Sequence, residues 1–107
     1  REALLARDFA ALGPAMEQSA LTMHASALAA DPGLIYWRGA TVDVMRRVRE
    51  LRAEGLSAYF TIDAGPHVKV FTTADELPRA EAALAEIPGV LRTIVAEPGR
   101  GARVQSP

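Results

Sequence analysis

Ala58-Tyr59-Phe60-Thr61-Ile62-Asp63-Ala64-Gly65-Pro66-His67-Val68-Lys69-Val70 is the stretch in which the periodicity of the chain changes to two. Ala58, Phe60 and Ile62 fall on one side of an extended segment, Tyr59, Thr61 and Asp63 on the other, and Val68 with Val70 resumes the alternation. Gly65-Pro66 supplies the reversal, the glycine through its permissive backbone and the proline through its fixed φ. The stretch therefore reads as a β-hairpin. It sets Asp63 at the exposed end of the first strand, where a rigid scaffold commonly presents a catalytic carboxylate.

Helical patterns flank the hairpin. Leu4, Leu5, Phe9 and Leu12 recur at helical spacing, and Gly13-Pro14 predicts an interruption there. A second helix is then expected to about Ala30, with Met16, Ala20, Met23, Ala27 and Ala30 as its apolar set, stopped by Asp31-Pro32-Gly33. Leu34 to Trp37 is bounded by turn residues and reads as an extended loop. Thr41 suits the N-cap of a third helix that buries Val44, Val48 and Leu51 and ends at Gly55, leaving Arg46, Arg47, Arg49 and Arg52 on its solvated faces. After the hairpin, Asp75 to Glu86 forms a helical stripe with Pro78 in its first turn, and Val90 to Ala96 is expected as a last strand. Helices on one face of an antiparallel sheet give an α+β two-layer sandwich.

Composition limits the function classes. A chain of 107 residues fits one domain, and half of its residues are hydrophobic against 23% charged, which fits a soluble globular protein. No apolar run reaches the roughly 18 residues a membrane span needs. The net charge is −1 and Lys69 is the only lysine, so the basic excess of a nucleic-acid binder is lacking. Without cysteine there are no disulfides or thiolate metal sites, which fits a cytoplasmic location. Two histidines without a helical pair make no zinc site, so no metal-ligating residues are assigned. Ser19, His24 and Asp63 could be drawn as a hydrolase triad, but no nucleophile elbow accompanies them.

Thr61 to Pro66 closely resembles the Asp-Ala-Gly-Pro signature of diphosphomevalonate decarboxylases, enzymes of the GHMP small-molecule kinase superfamily. Asp8 to Gly13 with Met16, Ser19 to Ala25 around Met23-His24-Ala25, and the helix from Thr41 to Gly55 are similar to segments of the same family in the same order. The resemblance covers roughly residues 1 to 72 and weakens toward Gly99-Arg100-Gly101. It implies the ferredoxin-like C-terminal domain of a two-domain enzyme, residues 1–107, whose ATP-binding half precedes this chain, with a homodimer among the expected assemblies. The implied reaction uses ATP and Mg2+ to phosphorylate the 3-hydroxyl of mevalonate 5-diphosphate, with loss of phosphate and CO2 to give isopentenyl diphosphate. Asp63 matches the family's catalytic aspartate; Ala64, Gly65, Pro66 and His67 match the turn beside the substrate, and His24 lies on the second matching helix. His67 departs from the family, which usually has Asn there, and adds bulk and a ring that can carry charge.

Each residue also has a plainer reading. Asp63 can initiate the turn through its own side chain, His67 can be a solvated hairpin residue, and His24 a partly buried structural histidine. Outside the diphosphate reaction the alternatives are a phosphomevalonate decarboxylase, a mevalonate 3-kinase that stops at phosphorylation, and a non-enzymatic regulatory or dimerisation module on a small α+β fold. The fragment alone is expected to be inactive.

Overall fold

A computed structural model describes residues 1–104. The elements are α1 (Glu2–Leu5), α2 (Phe9–Leu28), α3 (Gly39–Ala53), β1 (Tyr59–Ile62), β2 (Val68–Phe71) and α4 (Leu77–Ala85). β1 and β2 form an antiparallel pair in which Tyr59 faces Phe71 and Ile62 faces Val68.

The core is built where the sequence pattern is cleanest. Val44, Val48 and Leu51 lie at i, i+4 and i+7 on α3, and with Met45 they pack on Ala58, Phe60 and Ile62 of the β1 segment and on Ala80 of α4. Val48, Ala58 and Phe60 are completely buried. Burial of a side chain such as that of Phe60 contributes about 1.5–3 kcal/mol. α3 ends in a Schellman motif: Gly55 at φ +97° donates to the Arg52 carbonyl and Leu56 to the Leu51 carbonyl, and Leu56 joins the core. α4 carries Pro78 in its first turn as expected, and Glu76 before it accepts from the Ser57 amide and the Thr73 hydroxyl.

Three expectations are corrected. First, Gly13-Pro14 does not break the helix. The break lies at Arg7, whose φ is +55°, and Asp8 caps α2 by accepting from the Ala11 amide. α2 then runs through Gly13-Pro14, and the glycine is required by packing, since a Cβ there would lie 2.2 Å from Tyr59 Cγ. Pro14 costs the helix one hydrogen bond, and Ala10, whose carbonyl loses its partner, is exposed.

Second, Arg52 is not a solvated face residue. It lies over the Tyr59 ring and makes a two-pronged ion pair with Glu17, at 2.7 and 3.1 Å. Glu17 also accepts from the Phe60 amide, and Arg52 also donates to the Ala58 carbonyl. The pair thus satisfies the Phe60 amide and the Ala58 carbonyl on the side of the strand turned away from β2. The buried stripe of α2 is Gly13, Glu17, Ala20 and His24, while Met23 is exposed. α2 therefore crosses the edge of β1, touching Tyr59 on one face of the sheet and reaching the core with Leu21 on the other. The two-layer arrangement holds for α3 and α4, with α2 as an edge cover.

Third, residues 90–96 do not form a strand. A strand needs a partner ladder, and this segment faces β2 across a groove of about 1660 Å3 lined by both, with Leu91, Ile94 and Val95 exposed. Its recorded ties are Val90 N to the Ile87 carbonyl and the Thr93 hydroxyl to Glu81. No helix among the described residues is long and apolar enough to cross a membrane.

Candidate active site

β1 ends at Ile62, so Asp63 is the first residue beyond the ladder. The alternation that buries Phe60 and Ile62 turns Asp63 to the opposite face, and its side chain is 79% exposed. Lys69, on the same face one pair down the partner strand, reaches it at 2.6 Å. A pair this exposed contributes at most about 1 kcal/mol to stability. Its consequence is a bias in orientation: the only lysine of the sequence draws the carboxylate toward itself.

The turn after Asp63 is specified by backbone geometry. Gly65 has φ +133°, a region that L side chains avoid, and nothing lies within 4 Å of where its Cβ would be. Pro66 follows, and its carbonyl accepts from the Thr41 hydroxyl at 2.9 Å. The same oxygen of Thr41 accepts from the Arg38 amide at 3.1 Å. Thr41 is therefore not the N-cap, which is Arg38, but the third residue of α3, 3% exposed and linking the helix start to the hairpin turn. Nothing in the one-dimensional pattern marks this link across 25 residues. A Thr just before an apolar run signals the helix start alone.

Ala64 and His67 are exposed, and Pro66 and His67 stand at the large groove with Thr41. His24 lies elsewhere. It is 2% exposed rather than partly buried, with its ring edge-on to Tyr36 and tilted against Trp37 at 5.1 Å. Trp37 borders a separate cavity of about 200 Å3 floored by Phe60 and rimmed by Arg46 and Arg49, and no residue of the Asp63 turn lines it. The structure thus brings together Asp63, Lys69, the turn from Ala64 to His67 and Thr41, and leaves His24 in an aromatic cluster. Lys69 and Thr41 are the site's additions to the residues selected from sequence. Among the described residues no group of three or more His, Cys, Asp or Glu could hold a metal ion.

An exposed carboxylate, oriented by one ammonium group and carried on a fixed turn, can accept a proton from a hydroxyl brought to it. Comparison with known proteins gives this geometry a context. The phosphomevalonate decarboxylase of Haloferax volcanii is 34% identical over 87 residues, 80% of this chain and 27% of that protein. The solved mevalonate diphosphate decarboxylase from Enterococcus faecalis, described for its mevalonate-diphosphate-mediated ATP binding mechanism, is 38% identical with a TM-score of 0.76, matching 83% of this chain and 28% of its own. A structure of MDDEF in complex with MVAPP, AMPPCP and magnesium is 40% identical with a TM-score of 0.75, over 79% of this chain and 26% of that one. The chain spans little more than a quarter of the length of these relatives. The family model of the mevalonate 5-diphosphate decarboxylase C-terminal domain matches residues 1–98, and the chain belongs to that family.

Proposed function

We propose that this chain is the C-terminal substrate domain of an ATP-dependent decarboxylase that converts mevalonate 5-diphosphate to isopentenyl diphosphate, and that Asp63 is its catalytic residue. The observation that carries the reading is the presentation of Asp63: it is exposed beyond the last ladder position, oriented by Lys69, and followed by a turn anchored to α3. As the substrate's 3-hydroxyl oxygen forms its bond to the γ-phosphoryl group of ATP and the bond to ADP breaks, the hydroxyl proton passes to the Asp63 carboxylate. Departure of phosphate from that carbon, with loss of CO2, then leaves the alkene. Phosphoryl transfer depends mainly on positioning, which a carboxylate on a strand-end turn provides.

ATP and magnesium belong to the part of the parent protein outside this chain. The described residues offer no metal cluster, and residues 1–107 contain no Gly-rich phosphate loop. The Haloferax relative, a phosphomevalonate decarboxylase, favours as a second reading the same chemistry on the 5-monophosphate. The test is turnover of the full-length protein with ATP and each mevalonate phosphate, for wild type and Asp63→Asn. Asn makes the same turn-initiating hydrogen bonds, so a folded D63N that loses about a hundredfold or more in turnover supports proton transfer. Near-normal turnover would leave Asp63 a turn former. The preferred phosphate distinguishes the two substrates, and phosphorylation without CO2 release would identify a 3-kinase.

A further inference from the structure

We infer that Thr41 is a positioning residue for Asp63, holding the signature turn through its bond to the Pro66 carbonyl; the inference rests on the catalytic reading of Asp63. The bonding capacity of the hydroxyl is divided between two tasks. Its single proton goes to the Pro66 carbonyl at 2.9 Å, and an oxygen lone pair takes the Arg38 amide at 3.1 Å. One side chain thereby clamps the start of α3, a helix seated in the core by Val44, Val48 and Leu51, to the middle of an otherwise free turn.

The turn needs such a clamp. Ala64 and His67 are exposed, and Gly65 is the residue with the widest backbone freedom. Lys69 reaches Asp63 from an exposed position and can follow it if the turn moves. The recorded hydrogen bond from the body of the domain to residues 64–67 is the one from Thr41. Thr41 is 3% exposed and its hydroxyl is engaged by the Arg38 amide and the Pro66 carbonyl, so it acts through the position of the turn. A displacement of about 1 Å at a reacting group can cost about a hundredfold in rate, so a loosened turn has a measurable effect without any change in the carboxylate itself.

The experiment uses the full-length protein with ATP and mevalonate 5-diphosphate, and compares Thr41→Val, Thr41→Ser, Asp63→Asn and the double variant T41V/D63N. Val keeps the shape of Thr and removes both bonds, and Ser restores the hydroxyl. The expected result is a fall in kcat of about tenfold or more for T41V, with KM for both substrates within about threefold and T41S near wild type. T41V/D63N is expected to be no slower than D63N alone, because a residue that acts through the carboxylate has nothing left to position. A purely structural Thr41 would lower the melting temperature and act additively with D63N. Should T41V not fold, Thr41→Ala, which adds no bulk and suits a helix, takes its place with the same expected loss. Unchanged kcat in T41V, or additivity in the double variant, overturns the inference while the loss in D63N stands. Normal turnover in D63N removes the catalytic reading and the inference with it.

Discussion

Gly13→Ala sets two known effects against each other, and their magnitudes decide the sign. In a helix interior, Ala is favoured over Gly by about 1 kcal/mol, so replacing Gly13 in α2 would ordinarily stabilise the protein. Here the added Cβ would stand 2.2–2.4 Å from Cγ, Cδ1 and Cδ2 of Tyr59, where ordinary contact begins at 3.4 Å. The conflict is with the root of the ring, so a small swing of its far end does not relieve it. The ring is also enclosed: it meets Phe9 edge-on at 5.4 Å, carries the Arg52 guanidinium 4.8 Å from its centre, and is 8% exposed. Clearing about 1.2 Å must shift β1 or α2, and overpacking of this kind costs about 1–3 kcal/mol, with more expected when backbone has to move. The expected outcome is a net loss of about 1–2 kcal/mol, read as a lower urea midpoint with unchanged m-value in the full-length protein. In a Tyr59→Ala background the obstacle is gone, and the same substitution should be neutral or stabilising. Stabilisation by Gly13→Ala in the wild-type background would refute the packing argument.

Glu17→Ala leaves the Arg52 guanidinium and the Phe60 amide without their shared acceptor, and a loss of about 2–4 kcal/mol is expected, the value for a broken buried pair reduced because Arg52 is partly exposed. Faster hydrogen exchange at the Phe60 amide checks it, and unchanged protection there would count against the assignment. Lys69→Met should shift the melting temperature by no more than a few degrees, since the pair is exposed, yet reduce turnover of the full-length protein severalfold by freeing Asp63. Unaltered turnover would show that the carboxylate needs no orienting partner. The hydrogen bond from Arg47 holds the Glu54 carboxyl below its usual range, so its contribution to stability is present above the unfolded value of about 4.3 and is lost as pH falls through the folded value. The stability difference between wild type and Glu54→Gln should accordingly be present at neutral pH and close on acidification. A difference that does not shrink as the pH falls would contradict it.

α3 and the hairpin were legible because each buries one face against the other and so writes its period into the sequence, 3.6 for Val44, Val48 and Leu51, and two for Ala58, Phe60 and Ile62. The inward stripe of α2 carries almost no hydropathy signal, being glycine, a paired glutamate, alanine and a histidine against aromatic rings. A glycine followed by proline looks like punctuation to any local rule, and the ring that requires Gly13 is 46 positions away in sequence. Residues 90–96 have the composition of a strand, but strand formation depends on a neighbouring backbone, which composition does not report. At the site, the turn and the exposed strand-end place of Asp63 were readable from the local pattern, the role expected of Asp63 came from the family resemblance, and Thr41 was recognised only for the local half of its bonding.

The Glu17–Arg52 pair gives the sheet a direction of growth. Glu17 takes the outward amide of Phe60 and Arg52 the outward carbonyl of Ala58, so this ion pair occupies the place of a next strand and seals that border. Among the described residues β2 has no such seal: beyond it lies the groove, and across the groove the apolar run from Val90 to Ala96. Further backbone can join this sheet from one side alone. A strand laid there would pair with β2 and shelter Leu91, Ile94 and Val95 in the same step, so two side chains on one border leave a single edge of the sheet open to an added strand.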